Sequence, residues 1–306
     1  MTPHSRALTV AAAALVPVVA CALAAAAVLI NDERQATERE AISRARGAMT
    51  AVDAHLRGSI VSLGTLASSK NLEAGDIRAF HQESQRVLGT QPAWVNIGLI
   101  SSRKMQLSNA VEAFGRPESL PLLPPEDDSF EIAVRTGRPA IGNVAAGNVV
   151  TSPTVRVRYP VTYGEEVRYV MSAPLNLRHL AALLEAQRVP ADWALTLLDR
   201  RKHVIVRHPQ ILAAPAGVAA PDSFGEAIGR SPEGWFRNRA GEGRQTYTAY
   251  VTSEMSGWVL GISIPVEAAE AGERRIYALV GGGLLAALAA GLLLAWLMAS
   301  RLFYRD

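Results

Sequence analysis

The chain has a single cysteine, Cys21, in 306 residues, and it falls inside an uncharged apolar run. The rest of the molecule therefore has no disulfide and no thiol chemistry, and its own core must hold it together. Charge is just as sparse. Lys and Arg number 31 against 28 Asp and Glu, a net +3 with no dense basic stripe, which argues against a nucleic-acid partner. There is no phosphate-cradling glycine loop, zinc-ligand spacing or nucleophile elbow. The six histidines are scattered. His203 and His208, five apart on an expected strand, point to opposite faces and do not suit a shared metal. The sequence thus offers no cofactor, no metal site and no catalytic constellation, and a non-enzymatic role is expected.

Two long apolar runs are present. Residues 7–30 and 276–299 carry no charge, and each covers about 23 residues, enough to cross a ~30 Å hydrocarbon core as helix. Both are expected to span a bilayer, since a helix satisfies its own backbone there. The first run also reads as a cleavable signal, with Arg6 ahead of it and several Ala-x-Ala sites. Val18-Val19-Ala20-Cys21 fits a lipoprotein box. Apolar sequence continues to Ile30, longer than a signal core needs, so the reading kept is an uncleaved anchor. Arg6 precedes the first span, while Arg301 and Arg305 follow the second. A cytoplasmic N-terminus (1–6) and a cytoplasmic tail (300–306) are expected, although Arg274 and Arg275 sit on the unfavoured side. The main domain is then periplasmic or extracellular, on a multi-pass protein of a bacterial inner membrane. Gly281-Gly282-Gly283, with Ala286, suits close helix contact within the span.

Residues 31–70 read as one long helix. No proline occurs from Gln35 to Ser68, and Ile42, Ala45, Met49, Val52, Leu56, Ile60, Leu63 and Leu66 recur every three or four positions. Packing on a sheet is the simpler use of that stripe, and pairing with the same helix of a second copy is the other. Asp76 is an N-cap for a short helix. Trp94–Ile100 alternates as a strand, Met105–Ala110 returns as its hairpin partner, and Glu126–Thr136 is a helix stopped by Gly137. Strands follow at Thr154–Val161 and Val167–Leu175. The order then recurs. A helix holds Leu177, Leu180, Leu183 and Leu184, and strands are expected at Trp193–Leu198 and His203–Arg207. After a Pro/Gly/Ala-rich stretch from Pro215 to Pro221 come Trp235-Phe236, Thr246–Thr252 and Trp258–Ile264. Leu99-Ile100-Ser101-Ser102-Arg103-Lys104 matches Leu197-Leu198-Asp199-Arg200-Arg201-Lys202, and Pro92-Ala93-Trp94 matches Pro190-Ala191-Asp192-Trp193. Tyr159-Pro160-Val161 matches Ile264-Pro265-Val266. Matches in one order, offset by about 100 residues, indicate a duplicated α/β lobe.

Residues 31–272 resemble the double Cache (PDC-type) extracytoplasmic sensor domains of bacterial histidine kinases and chemoreceptors. The resemblance rests on the Trp94 strand and hairpin, Phe130-x4-Arg135-Thr136-Gly137-Arg138-Pro139 and Tyr159-Pro160-Val161. In the second half it rests on Leu197-Leu198-Asp199, Gly257-Trp258 and Ile264-Pro265. It implies an α+β fold of two tandem PAS-like lobes on a long N-terminal signalling helix, flanked by two transmembrane helices. The membrane-distal lobe (71–176) is expected to bind ligand and the membrane-proximal lobe (177–265) to relay it, with a juxtamembrane helix at 266–275. The Tyr and Arg of the family's amino-acid-binding signature are absent around Trp94, so an amino-acid ligand is not supported. No transmitter segment follows the second span as read. The chain is therefore expected to be the input part of a histidine kinase or to work with a separate one.

In Thr154–Val161, Arg156 and Arg158 share one face, and Val155, Val157, Tyr159 and Val161 share the other. If the apolar face packs on the long helix, both guanidiniums look into the cavity side of the sheet. Their planar donor forks suit carboxylate or phosphate there. With Trp94 and Asn96 they make a candidate site for a small organic anion; the alternative is an exposed sheet face. By the resemblance, Arg135 and Asn143 flank the segment that covers such a cavity. The leading functional class is a membrane-anchored small-molecule sensor that passes helix displacement across the bilayer, expected as a homodimer. The other class is a two-span structural regulator such as a polysaccharide chain-length determinant, whose outer part would be mostly helical.

Overall fold

The computed structural model describes residues 3–115, 118–119, 128–146, 152–209, 216–220, 222–229, 231–239 and 243–303. The first residues of the expected Glu126 helix, both ends of the 215–221 stretch, and residues 1–2 and 304–306 lie outside them. The chain divides into two units, residues 1–40 with 266–306 and residues 41–265.

The smaller unit is helical. It contains the first part of α1 (Pro3–Ala67), together with α7 (Val266–Ala269) and α8 (Ala271–Phe303). Among the described residues one helix, over Val16–Ala67, contains a stretch long and apolar enough to cross a membrane. Arg34 donates to both carboxylate oxygens of Glu273 through one guanidinium edge, Nε to Oε1 and Nη2 to Oε2 at 2.9 Å, and Glu273 is buried. A Cβ built on Gly281, Gly282 or Gly283 meets nothing within 4 Å among the described residues.

The larger unit is built on the rest of α1. Ala45, Met49, Val52, Leu56, Leu63 and Leu66 of the sequence stripe are buried, Ile42 and Ile60 are half-buried, and Ala41, Ala48 and Ser59 complete the packed seam. Short helices α2 (Lys70–Glu73) and α3 (Ile77–Gly89) follow, the latter capped by Asp76, whose side chain accepts the Ala79 N–H.

Two antiparallel sheets come next. The first contains β1 (Gly98–Ser101), β2 (Met105–Asn109), β3 (Glu118–Ser119), β4 (Ala140–Ile141), β5 (Arg156–Tyr163) and β6 (Glu166–Pro174), in the order β3-β2-β1-β6-β5-β4. Helix α4 (Ser129–Thr136) covers it through Phe130 and Ala133 on Ile100, Ala140 and Val170. Helix α5 (Leu177–Glu185) leads to the second sheet, which contains β7 (Ala194–Leu198), β8 (Val204–His208), β9 (Glu233–Arg239), β10 (Gln245–Thr252) and β11 (Val259–Pro265). Its order is β8-β7-β11-β10-β9, with α6 (Asp222–Ile228) over it.

The duplication extends to the register, but Tyr159-Pro160-Val161 and Ile264-Pro265-Val266 are not counterparts, since the first lies in β5, matched by β10, and the second ends β11, matched by β6. Gly98 pairs with Asn109 as Thr196 pairs with Arg207, and both hairpins shift register at the next step, between Leu99 and Ile100 and between Leu197 and Leu198. Both turns close on a lysine in the left-handed region, Lys104 at φ 63° and Lys202 at φ 65°. Ile100 pairs with Val170 as Leu198 pairs with Val259, and each pair sits under its covering helix.

One strand starts later than its alternation predicts. The Asn96 carboxamide oxygen accepts the Ile97 N–H and the Trp94 N–H turns back to Gln91, so regular pairing begins at Gly98 and Val95 is left 40% exposed. His203 precedes β8, in an isolated bridge to Ala219. Two five- and six-stranded sheets are not the helical outer part that a chain-length regulator would have.

Candidate functional site

Strand β5 separates its two faces as its alternation predicts. Val155, Val157 and Val161 are buried on the α1 side, where the Tyr159 ring lies over Gly64. Arg156 and Arg158 lie on the opposite side and are 5% and 1% exposed, so this is not a solvent face. Arg158 Nε donates to Ser129 Oγ at 3.3 Å, at the first turn of α4. Arg156 Nη1 donates to the Ala145 carbonyl at 3.1 Å, in the segment that follows β4. Buried arginines are rare, and this face holds two of them.

Cross-strand pairing shows what shares their face, because directly opposed residues in an antiparallel pair project to the same side. One row runs Asn109, Gly98, Ser172, Arg158, Ala140 across five strands. Asn109 and Ser172 are buried. Among the described residues, the buried Asn109 Nδ2 meets no hydrogen-bond acceptor, although its Oδ1 accepts the Val111 N–H. A Cβ built on Gly98 would meet Ser108 O and Ser172 Cβ at 3.9 Å, in ordinary contact. Asn143, buried, lies between Gly142, whose N–H donates to the Arg156 carbonyl, and Val144.

The structure therefore brings Arg156, Arg158 and the Asn143 segment together. Asn96, buried, lies two residues ahead of Gly98, with its carboxamide oxygen taken by Ile97. Trp94 is not brought to the arginines. It bridges to Leu175, and its indole N–H donates to Ser59 on α1 at 2.9 Å, on the helix side of the sheet. Arg135 is exposed in the last turn of α4. Asn109, Ser129 and Ser172 were not singled out from the sequence. The signal that could have found them is the duplication, laid out pair by pair.

The same row in the second sheet reads Arg207, Thr196, Gly261, Tyr250, Gly234. Tyr250 stands where Arg158 stands, and its hydroxyl lies 2.9 Å from the Ala227 carbonyl and 3.2 Å from that of Ser231. The Phe224 ring sits on Gly261, where a Cβ would lie 2.6 Å from Cζ. Phe236 meets Phe224 edge-on at 5.4 Å and Tyr250 at 5.8 Å between ring centres. The second lobe closes this face with three rings, while the first sets guanidinium, hydroxyl and amide groups beside the single ring of Phe130.

Two antiparallel sheets in tandem on one long helix are a fold shared with several solved structures. No family model and no curated protein matches the chain. Solved structures with this fold include the sensory domain of the Campylobacter jejuni chemoreceptor Tlp3 with isoleucine bound (11% identity, 79% of this chain and 98% of that one, TM-score 0.59). They also include the ligand-binding domain of the Pseudomonas aeruginosa amino-acid chemoreceptor PctB with L-Arg (15%, 76% and 97%, 0.60). A third is the sensor domain of the V. cholerae histidine kinase DctB (13%, 76% and 98%, 0.54).

Proposed function

We propose that this chain is the extracytoplasmic input module of a signalling system, held in the inner membrane by helices at both ends, and that its first lobe binds a small organic anion. The observation that carries this reading is the difference between equivalent faces of the two sheets: beside the Phe130 ring the first holds buried Arg156, Arg158, Ser172 and Asn109, where the second adds Phe236 and Tyr250 to Phe224. Two guanidiniums supply paired donors that match a carboxylate or phosphate. The amino acids in Tlp3 and PctB support a small-molecule ligand of that size. The departures around Trp94 favour a different anion.

Ligand preference for one lobe state would supply the signal; a 100-fold preference gives about 2.7 kcal/mol. The proposed route outward is α1 and α8 across the bilayer, in a homodimer, to a kinase domain or a separate transmitter. The test is thermal unfolding of the full chain in micelles against a panel of mono-, di- and tricarboxylates and inorganic phosphate. A ligand at 100 times its Kd adds about 2.7 kcal/mol of stability. Arg156→Ala and Arg158→Ala should each abolish that gain. A ligand that stabilises both variants as well as the parent refutes the site.

A further inference from the structure

Two consecutive residues in the turn between β7 and β8 of the second lobe reach both segments that contact the arginines of the first. Asp199 is wholly buried. Its carboxylate accepts the N–H groups of Arg201 and His203 at 2.8 and 2.9 Å, which shapes its own turn. The other carboxylate oxygen accepts the Val144 N–H at 2.9 Å. Val144 lies between Asn143 and Ala145, and Ala145 is the residue whose carbonyl takes Arg156. Gly217, from the second lobe, places Val144 Cγ1 at 3.7 Å from a built Cβ, so side-chain packing backs the hydrogen bond.

Arg200, the next residue, ion-pairs with Asp128 at 2.8 Å. Asp128 is the N-cap position of α4 and precedes Ser129, the partner of Arg158. The Arg200 stem is itself held against Gly257. A Cβ there would lie 2.8 Å from Cγ, at a glycine with φ 69° that other residues adopt poorly. One turn thus touches Asp128–Ser129–Arg158 on one side and Val144–Ala145–Arg156 on the other.

We infer that the Asp199–Arg200 turn is the positioning element through which the second lobe senses occupancy of the first. A ligand that draws Arg156 and Arg158 toward itself loosens or reorients their bonds to Ala145 and Ser129. Those two segments are the ones clasped by the turn, so the displacement arrives there without passing through the rest of the sheet. The coupling is reciprocal, and a change at the turn alters the order of both segments. The inference rests on the first-lobe site proposed above for its purpose, but its physical content is tested without a ligand.

The experiment is amide hydrogen exchange on the full chain in micelles. Arg200→Ala and Asp199→Asn are read at segments 129–136 and 140–146 of the first lobe, with α5 as an internal control. Exchange in the clasped segments should rise about fivefold for each, the factor given by one net hydrogen bond of about 1 kcal/mol. In the reverse direction, Arg158→Met and Ser129→Ala should speed exchange at 199–203, and Arg200→Ala should remove that response. The charge-swapped pair Arg200→Asp with Asp128→Arg should restore parent exchange in α4, which a purely local packing role would not do. Ser129→Ala and Arg200→Ala, changes of a small side chain and a partly exposed one, keep the test informative if Asp199→Asn fails to fold. Exchange changes confined to the mutated lobe in both directions would overturn the inference. Failure of the carboxylate and phosphate titration alone would remove the ligand reading and leave this coupling standing.

Discussion

Tyr250 fills in the second sheet the place that Arg158 fills in the first: one faces Gly261 across its strand pair, the other Ser172. A shared scaffold thus supports a buried polar row in one lobe and an aromatic plug in the other. Tyr250→Phe should therefore cost about 1 kcal/mol through the lost hydroxyl contact with the Ala227 and Ser231 carbonyls. It should leave ligand affinity in the first lobe unchanged. Calorimetry and titration on the same sample check both halves.

The glycines of the two rows respond in opposite ways. Gly261→Ala drives a methyl into the Phe224 ring and should destabilise by about 1–3 kcal/mol. Gly98→Ala meets only ordinary contacts and relieves a glycine in a strand, for a gain of roughly 0.5 kcal/mol, yet its methyl stands between Asn109 and Ser172 on the proposed binding row and should weaken binding. Urea midpoints, read beside ligand titrations, separate the two.

Asn109→Ala removes a buried amide whose nitrogen has no acceptor among the described residues. Loss of the Val111 N–H bond to its oxygen should cost about 1 kcal/mol, while affinity for the bound anion falls about five- to tenfold, as expected when one ligand hydrogen bond is lost. A loss of stability without a loss of affinity would make Asn109 a structural residue only.

Acid should loosen the contact between α1 and α5. His55 and His179 face each other across it at 4.9 Å, and burial first, then the charge of His179, hold the His55 pKa below the ordinary histidine value. Burial lowers His81 as well. The unfolded chain therefore takes up these protons at a higher pH than the folded one. Stability falls as pH drops through 6.5 and stops falling below the folded values. His55→Gln should flatten the melting temperature between about pH 7 and pH 5; an unchanged slope would refute the assignment.

The repeat was legible because its turns are chemically marked: Lys104 and Lys202 end matched hairpins, and both adopt the left-handed geometry. The arginine face was legible because β5 keeps a strict two-residue period flanked by valines. Trp94 was misplaced because Asn96 bonds its own neighbour and delays the strand, which puts the indole on the helix side. Asn109 and Ser172 were invisible to alternation, since a polar residue in a strand reads as solvent-facing. Only pairing across five strands places them beside Arg158. Arg135 was carried by the family resemblance, and its position at the end of a short helix leaves it outside the row.

The notch at Gly64 has a mechanical result. The Tyr159 ring fills it, with ring carbon and hydroxyl atoms 3.1 Å from where a methyl would be, so the first sheet is keyed to α1 like a tooth in a rack. Sliding or rolling of this part of the helix past the sheet would first require the ring to leave its notch.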